Sequence, residues 1–209
     1  REYRIDYDQV QIDAIRTAAR SKFMVLTGGP GTGKTTTTLA IIKVFQKMGK
    51  KVLLAAPTGR AAKRMSEATG MESKTIHRLL EYRPPEGYQK NADNPLECDV
   101  LIIDEVSMAP LPHIFWAASK VTDFVTLVGD FKQLSPICVS ESEVAEKWLK
   151  RDIFELLGIK TIEDACQDER VSLLDTQYRM AQQLAAVPNH LFYSGLLKDG
   201  PHTDKFYLD

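Results

Sequence analysis

From Gly28 to Thr35 the chain reads Gly-Gly-Pro-Gly-Thr-Gly-Lys-Thr, matching G-x-x-x-x-G-K-[ST] at every position, directly after the apolar run Phe23-Met24-Val25-Leu26. Such a pattern admits one local arrangement: a buried strand, a tight glycine-rich turn and then a helix. The glycines let consecutive backbone N–H groups turn inward toward anionic oxygens. The helix that follows points its positive dipole end at the same place. Lys34 can reach the β- and γ-phosphates of a nucleoside triphosphate, and the Thr35 hydroxyl can ligate Mg²⁺. The nucleotide-binding set is therefore Gly29, Pro30, Gly31, Thr32, Gly33, Lys34, Thr35 and Thr36. Thr35 to Thr38 are four β-branched residues in a row, a poor start for a helix, so a demand other than helix propensity placed them there. The plain alternative is a glycine-rich turn that carries a lysine by chance, and the full match argues against it.

Strand-like apolar runs recur at Phe23–Thr27, Val52–Ala56, Val100–Ile103 and Phe124–Val128. Each is short and continuously apolar, as in strands buried on both faces of a parallel sheet. Helical stretches lie between them, at Asp8–Arg20, Lys34–Lys47, Gly59–Ala68 and Pro112–Lys120. The Pro/Gly/Asn-rich stretch Arg83–Pro95 reads as a surface loop. The expected fold is α/β, a mostly parallel sheet flanked by helices. Each strand ends in polar residues, and ligands of open α/β sheets sit beyond the carboxyl ends of strands. Four such clusters imply one composite site.

With 44% hydrophobic residues in 209, the chain can bury a single-domain core. No apolar run approaches the roughly 20 residues of a membrane span, and the N-terminus carries no signal-peptide pattern. Cys98, Cys138 and Cys166 lie far apart and read as reduced thiols of a cytoplasmic protein. His77, His113, His190 and His202 form no zinc-like cluster. Residues 1–90 hold 17 Lys+Arg against 8 Asp+Glu, a balance of +9; residues 91–209 hold 10 against 20, a balance of −10, and the two sum to the net −1. A basic first half suits a polyanion lying along one side, unless folding intermixes the halves.

Asp104-Glu105 follows Leu101-Ile102-Ile103. An Asp at the end of a buried strand, together with a loop Thr, is the usual second anchor for Mg²⁺. The Glu after it points to the other side of the strand end and can polarise an attacking water. Two solvated carboxylates opening a loop would be the bland reading. The stretch Leu127–Pro136 (Leu-Val-Gly-Asp-Phe-Lys-Gln-Leu-Ser-Pro) places Gln133 where an amide can sense a γ-phosphate, and Asp130 where it can position Gln133 or the water. Gly-Asp and Ser-Pro are also ordinary turn signals.

Gln11, the phosphate loop, Ala56–Ala62 (Ala-Pro-Thr-Gly-Arg-Ala-Ala), Thr75–Leu80 (Thr-Ile-His-Arg-Leu-Leu), Asp104–Met108 and Gly129–Leu134 together resemble superfamily 1 helicase motifs, in that family's order. From residue 5 to about 136 the chain is most similar to the RecD-like branch. Lys147–Phe154, Gln177–Met180 and Asn189–Tyr193 look more like the branch that contains the nonsense-mediated-decay helicase. The resemblance implies a RecA-like P-loop NTPase domain over residues 1–180 and a junction segment over 181–209. It implies ATP and Mg²⁺ as cofactors, with Gln11 on the adenine edge, Glu105 as the base, and Lys34, Gln133 and Arg179 on the γ-phosphate. Thr58, Arg60, Thr75 and His77 match motifs that hold the backbone of a single strand. The bare residues leave other readings open: Thr75 as an N-cap, His77 as a loop histidine, Arg179 in an ion pair with Asp175.

Superfamily 1 enzymes use two RecA-like domains, and no later Gln-Gly or Arg-rich motif follows Met180. The expectation is thus a fragment, monomeric and slow to hydrolyse ATP alone, holding the first motor domain and the entry to the second. The implied activity is that of an ATP-dependent 5′ to 3′ DNA helicase, with single-stranded DNA favoured over RNA as partner. The alternatives are an RNA helicase of the same superfamily or a non-helicase P-loop ATPase. A phosphate-loop kinase, an ABC-type or signalling NTPase, and a non-hydrolysing binding module fit less of the pattern.

Overall fold

The structure, a computed structural model, describes residues 6–140, 142–201 and 203–205; His202 and residues 206–209 lie outside it. The chain starts with α1 (Gln9–Arg20), β1 (Phe23–Gly28), α2 (Lys34–Lys47), β2 (Val52–Ala56), α3 (Gly59–Thr69) and β3 (Ser73–Thr75). A short α4 (Ile76–Leu79) and a small hairpin, β4 (Tyr82–Arg83) with β5 (Gly87–Tyr88), lead to β6 (Val100–Ile103), a 3₁₀ turn at Val106–Met108, α5 (Leu111–Ala118) and β7 (Phe124–Gly129). Three short helices follow, α6 (Glu143–Leu149), α7 (Ile153–Leu157) and α8 (Ile162–Gln167). Then come β8 (Val171–Leu174), β9 (Thr176–Gln177), α9 (Gln182–Phe192) and β10 (Lys198–Asp199).

Six strands form one sheet in the order β3-β2-β6-β7-β1-β8, every pair parallel. Alternate side chains leave each strand on opposite faces, and both faces are covered. On one side Val25, Leu101, Ile103 and Leu127 meet Ile76, Leu79, Ile114 and Phe154. On the other, Met24, Leu26, Leu54 and Ile102 meet Ala14, Ala18, Ile41 and Phe45. Burial on both faces is why the four expected strands carry no polar alternation. All four lie where the apolar runs placed them, as do the four helices, with ends shifted by one or two residues.

Two sheet strands carry a weaker signal. The three-residue β3 contains no large apolar residue and is only half-buried; register with β2, Leu54 to Ser73 through Ala56 to Thr75, is what makes it a strand. The outer β8 pairs with β1 from Val25–Val171 to Gly28–Leu174. The stretch expected as a surface loop, Arg83–Pro95, contains all of the β4–β5 hairpin strands except Tyr82. It is anchored by the Trp116 indole, which donates to the Lys90 carbonyl at 2.9 Å.

Past Met180 the chain returns to the same body. β10 pairs in parallel with β9, and Asn189 brackets the turn by donating to the Leu197 carbonyl (2.8 Å) and accepting from its N–H (3.0 Å). Tyr193 and Leu197 are buried with Ile162.

Phe45 has no exposed surface and its ring centroid lies 5.0 Å from that of Phe124. Phe45→Ala removes the central side chain between α2 and the sheet. A loss of about 3–5 kcal/mol is expected in urea unfolding, with near-parent secondary structure before the transition.

Candidate functional site

The carboxyl ends of β1, β6 and β7 open into a cleft of about 450 Å³, the size of an ordinary small-molecule site. Its floor is the glycine-rich loop. Gly31 and Gly33 both have left-handed backbone angles, φ 77° and 82°. Any Cβ there would collide, with Arg179 Cβ at 2.8 Å for Gly31 and with Gln11 Nε2 at 2.4 Å for Gly33. Only glycine satisfies both the angle and the space. Thr32 braces the loop by donating to the Gly29 carbonyl at 2.9 Å. The run of threonines has a local cause: Thr37 and Thr38 are buried and donate to the carbonyls of Gly33 and Lys34, one turn back, at 3.0 and 2.8 Å. Thr35 and Thr36 face the cleft.

Lys34 folds over the loop and donates to the carbonyls of Gly28 (2.7 Å) and Gly29 (3.1 Å). Burial pushes its pKa down, and the carboxylates of Asp130 and Asp104 oppose that shift. Across the cleft, burial holds the Asp104 carboxyl above the usual carboxylate range, and the hydrogen bond it accepts from the Glu105 N–H pulls the other way. Glu105 has left-handed backbone angles, φ 49° and ψ 40°, a strained setting for a residue with a side chain. Its carboxylate pairs with Arg64 of α3 at 3.1 Å.

Asp130 is buried at the end of β7 and organises its surroundings. It accepts from the Gln133 amide (3.0 Å), from the Lys132 N–H (3.0 Å) and from the Tyr193 hydroxyl (2.7 Å). Burial and the Asp130 charge push the Tyr193 pKa up, so that phenol remains a donor. Gln133 thus lines the same cleft as Lys34, with its orientation fixed by Asp130.

The segment after β8 crosses over the loop. The Tyr178 N–H donates to the Gly31 carbonyl at 3.0 Å, and the Tyr178 hydroxyl donates to Asp8, the N-cap of α1. Gln177 accepts from the N–H groups of Arg179 (2.9 Å) and Met180 (2.8 Å), which sets Arg179 at the cleft mouth. Asp175 pairs instead with Lys198 at 2.6 Å. Gln11 is buried beneath the loop; its amide accepts from the Asp8 N–H (3.2 Å) and donates to the Thr32 carbonyl (3.4 Å).

The remaining singled-out residues lie at the adjoining edge. Thr58 caps α3, accepting from the Ala61 N–H, and Thr75 caps α4, accepting from the Arg78 N–H, both at 3.2 Å. β2 and β3 are neighbours, so both caps sit at the same carboxyl edge, beside the cleft and outside its lining. Arg60 is exposed and makes no ion pair among the described residues. His77 is exposed in an aromatic cluster, 4.8 Å from His113 and 5.5 Å from Tyr82 between ring centroids. Sequence reasoning missed Arg64, Tyr178 and Tyr193 as parts of the site. Arg64 had a signal in its place one helical turn after Arg60, and Tyr178 and Tyr193 in lying within the motif-like stretches Gln177–Met180 and Asn189–Tyr193.

A family model described as an AAA domain matches residues 11–139, and a second AAA-domain model matches residues 149–208. The ATP-dependent RecD2 DNA helicase of Deinococcus radiodurans is 45% identical over 129 residues, 61% of this chain and 18% of that protein. The DNA replication ATP-dependent helicase/nuclease dna2 of Schizosaccharomyces pombe is 29% identical over 92% of this chain and 16% of its own length. Among solved structures, Bacteroides Pif1 bound to ssDNA superposes with a TM-score of 0.61 at 22% identity, over 91% of this chain and 48% of that one. The chain thus spans about a fifth of these curated relatives and about half of that structure. The two family models divide the chain between residues 139 and 149, where the resemblance of its motifs also changes. The match over residues 11–139 places the chain in the AAA-domain family, and its parallel sheet and glycine loop, pinned between Gln11 and Arg179, resemble the motor domain of superfamily 1, RecD-like helicases.

Proposed function

We propose that this domain binds ATP with Mg²⁺ in the cleft beyond β1, β6 and β7 and hydrolyses it to drive 5′ to 3′ movement along single-stranded DNA. The observation that carries this is the convergence of Lys34, Asp104, Glu105, Gln133 and Arg179 on one cleft, from segments spread over more than 140 residues. The names of the relatives, ATP-dependent DNA helicases, support the choice of nucleotide and polymer.

Each residue has a task in this reading. Lys34 exchanges the Gly28 and Gly29 carbonyls for phosphate oxygens, and the loop N–H groups between Gly29 and Thr36 complete the cradle. Gln11, which lines the cleft against the loop at Thr32 and Gly33, would meet the adenine edge. Thr35 and Asp104 both line the cleft and would hold Mg²⁺, which would neutralise phosphate charge when bound. Glu105 accepts a proton from water as the water oxygen bonds to the γ-phosphorus and the bond to the bridging oxygen breaks, leaving ADP and phosphate. Gln133, fixed by Asp130, hydrogen-bonds the γ-phosphate, and Arg179 meets the charge that develops there. Thr58, Arg60, Thr75 and His77 take the strand backbone without reading bases.

We further propose that the domain works as a monomer with a second motor domain, to which the segment after Met180 leads; the greater length of the relatives supports this. The three free cysteines support a reducing, cytoplasmic setting. Burial pushes the Cys98 thiol up to about 11, so it is inert. No helix among the described residues is long and apolar enough to cross a membrane.

Glu105→Gln in the full-length protein should keep ATP affinity and lose about two to four orders of magnitude in turnover. Equal loss of binding and turnover would remove the base assignment. Arg60→Ala should weaken binding to two unrelated oligonucleotides alike. It should also lower the slope of log K against log salt by about 0.7, one phosphate contact on a single strand. Fluorescence anisotropy at several salt concentrations reads both.

Asp104 gives a test without turnover. Its pKa is raised in the fold, so its contribution to stability is present below its unfolded pKa and is lost as pH rises through the folded value. At neutral pH the buried charge therefore costs stability that the Lys34 and Arg64 charges only partly offset. Asp104→Asn should raise the melting temperature of the ligand-free protein at pH 7 by about 1–4 °C, with the gain vanishing in acid. Addition of Mg·ATP should reverse the ranking, because only the parent keeps its cation ligand.

A further inference from the structure

Glu105 and Arg64 both line the cleft but come from different elements. Glu105 follows β6 and faces the cleft, while Arg64 lies on α3, whose N-terminus is the edge assigned to the strand. Their contact at 3.1 Å bridges the two. Glu105 is aimed at α3 by its left-handed backbone, and the turn that aims it is packed tightly. A Cβ on Gly129 would lie 2.9 Å from Val106 Cγ1 and 3.3 Å from the Ser107 N–H nitrogen, so β7 presses directly on the residues after Glu105. Its carboxylate is mostly shielded, at 23% exposure, whereas Arg64 is 65% exposed and free to swing about its stem.

On α3, Arg64 is one helical turn from Arg60, and residues four apart share a face about 6 Å from each other. The helix begins at the Thr58 cap, where a phosphate would meet free N–H groups and the dipole. A strand phosphate at that end would approach Arg60 first and fall within reach of the Arg64 guanidinium, whose planar fork matches phosphate as well as carboxylate. Glu67 and Asp104 also face Arg64. Glu67 pairs loosely with Lys63 at 3.9 Å, and Asp104 sits deeper, so Glu105 is the partner that holds the guanidinium.

We propose that Arg64 is a positioning residue that restrains Glu105 in the absence of a strand and releases it when a strand phosphate captures the guanidinium. A carboxylate engaged by Arg64 has fewer lone pairs free to accept a hydrogen bond from water and is held toward α3. Strand binding at α3 then frees it, which makes ATP hydrolysis wait for its track. The inference rests on the base role given to Glu105 under the proposed function.

The test compares the full-length parent with Arg64→Ala, Arg64→Lys and Glu105→Gln, measuring ATP turnover with and without saturating oligothymidylate, along with nucleotide affinity. Arg64→Ala should raise strand-free kcat about two- to fivefold, the factor matching a partly exposed ion pair. Strand-saturated kcat and the KM for ATP should stay at parent values, so the stimulation ratio falls by the same factor. Arg64→Lys, which keeps a cation in reach, should stay near the parent ratio. Strand-free turnover that is unchanged or lower in Arg64→Ala overturns the restraint. A parallel fall with and without strand does so while leaving the hydrolysis reading intact, since Arg64 would then assist the reaction itself. Parent-like turnover by Glu105→Gln removes the base assignment and this inference with it.

Discussion

Two glycines squeezed from opposite sides set the geometry of the whole site. Gly31 and Gly33 leave no room for a Cβ because Arg179 lies against one and Gln11 against the other. The loop is therefore not free-standing. It is gripped by the first helix from below and by the segment after β8 from above, and Tyr178 ties the two grips together through Asp8. Consecutive N–H groups can be held ready for an anion only if the backbone cannot relax, and this clamp is what prevents it. The outer position of β8 follows from the same need, since its pairing with β1 delivers Gln177, Tyr178 and Arg179 onto the loop.

Burying both faces of the sheet confines the polar chemistry to one rim. Apolar residues cover the strands above and below, so polar groups have satisfied surroundings only at strand ends. There, helix N-termini, caps and turns supply partners. The strand order then spaces the tasks along the rim, with the caps at Thr58 and Thr75 on β2 and β3 and the nucleotide-facing residues on β6, β7 and β1. β2 and β6 are hydrogen-bonded neighbours, so the two regions adjoin without overlapping.

Much of this was legible in the sequence because each signal was local. The strand before Gly28, the glycine loop and the helix after it are contiguous, and four fully buried strands announce themselves as unbroken apolar runs. The edge strand β3 was not legible, because Ser73-Lys74-Thr75 has no strand-like pattern and becomes a strand only through register with β2. Likewise Tyr193 is 63 residues from Asp130, and no spacing foretells that its hydroxyl will fix that carboxylate. The run of threonines has a partly structural cause that sequence does not show, since Thr37 and Thr38 are buried and donate back to the carbonyls of Gly33 and Lys34. Part of the basic first half is offset by the acidic half, since Lys50 and Lys51 pair with Asp123 and Glu97.

The site also keeps charges that a purely stable fold would discard. Lys34 and Asp104 are both desolvated, each pushed toward its neutral form by burial, and each is only partly supported by the other's charge. Glu105 occupies a backbone region unsuited to a side chain. These three costs lie within one cleft, whereas the sheet beneath them is regular and fully packed. A rigid, well-buried sheet can tolerate such local strain, and strain that persists at the carboxyl ends of β1 and β6 is difficult to explain by folding alone. It is the expected mark of groups held ready for phosphates, a cation and a water, each of which would relieve one of the costs on arrival.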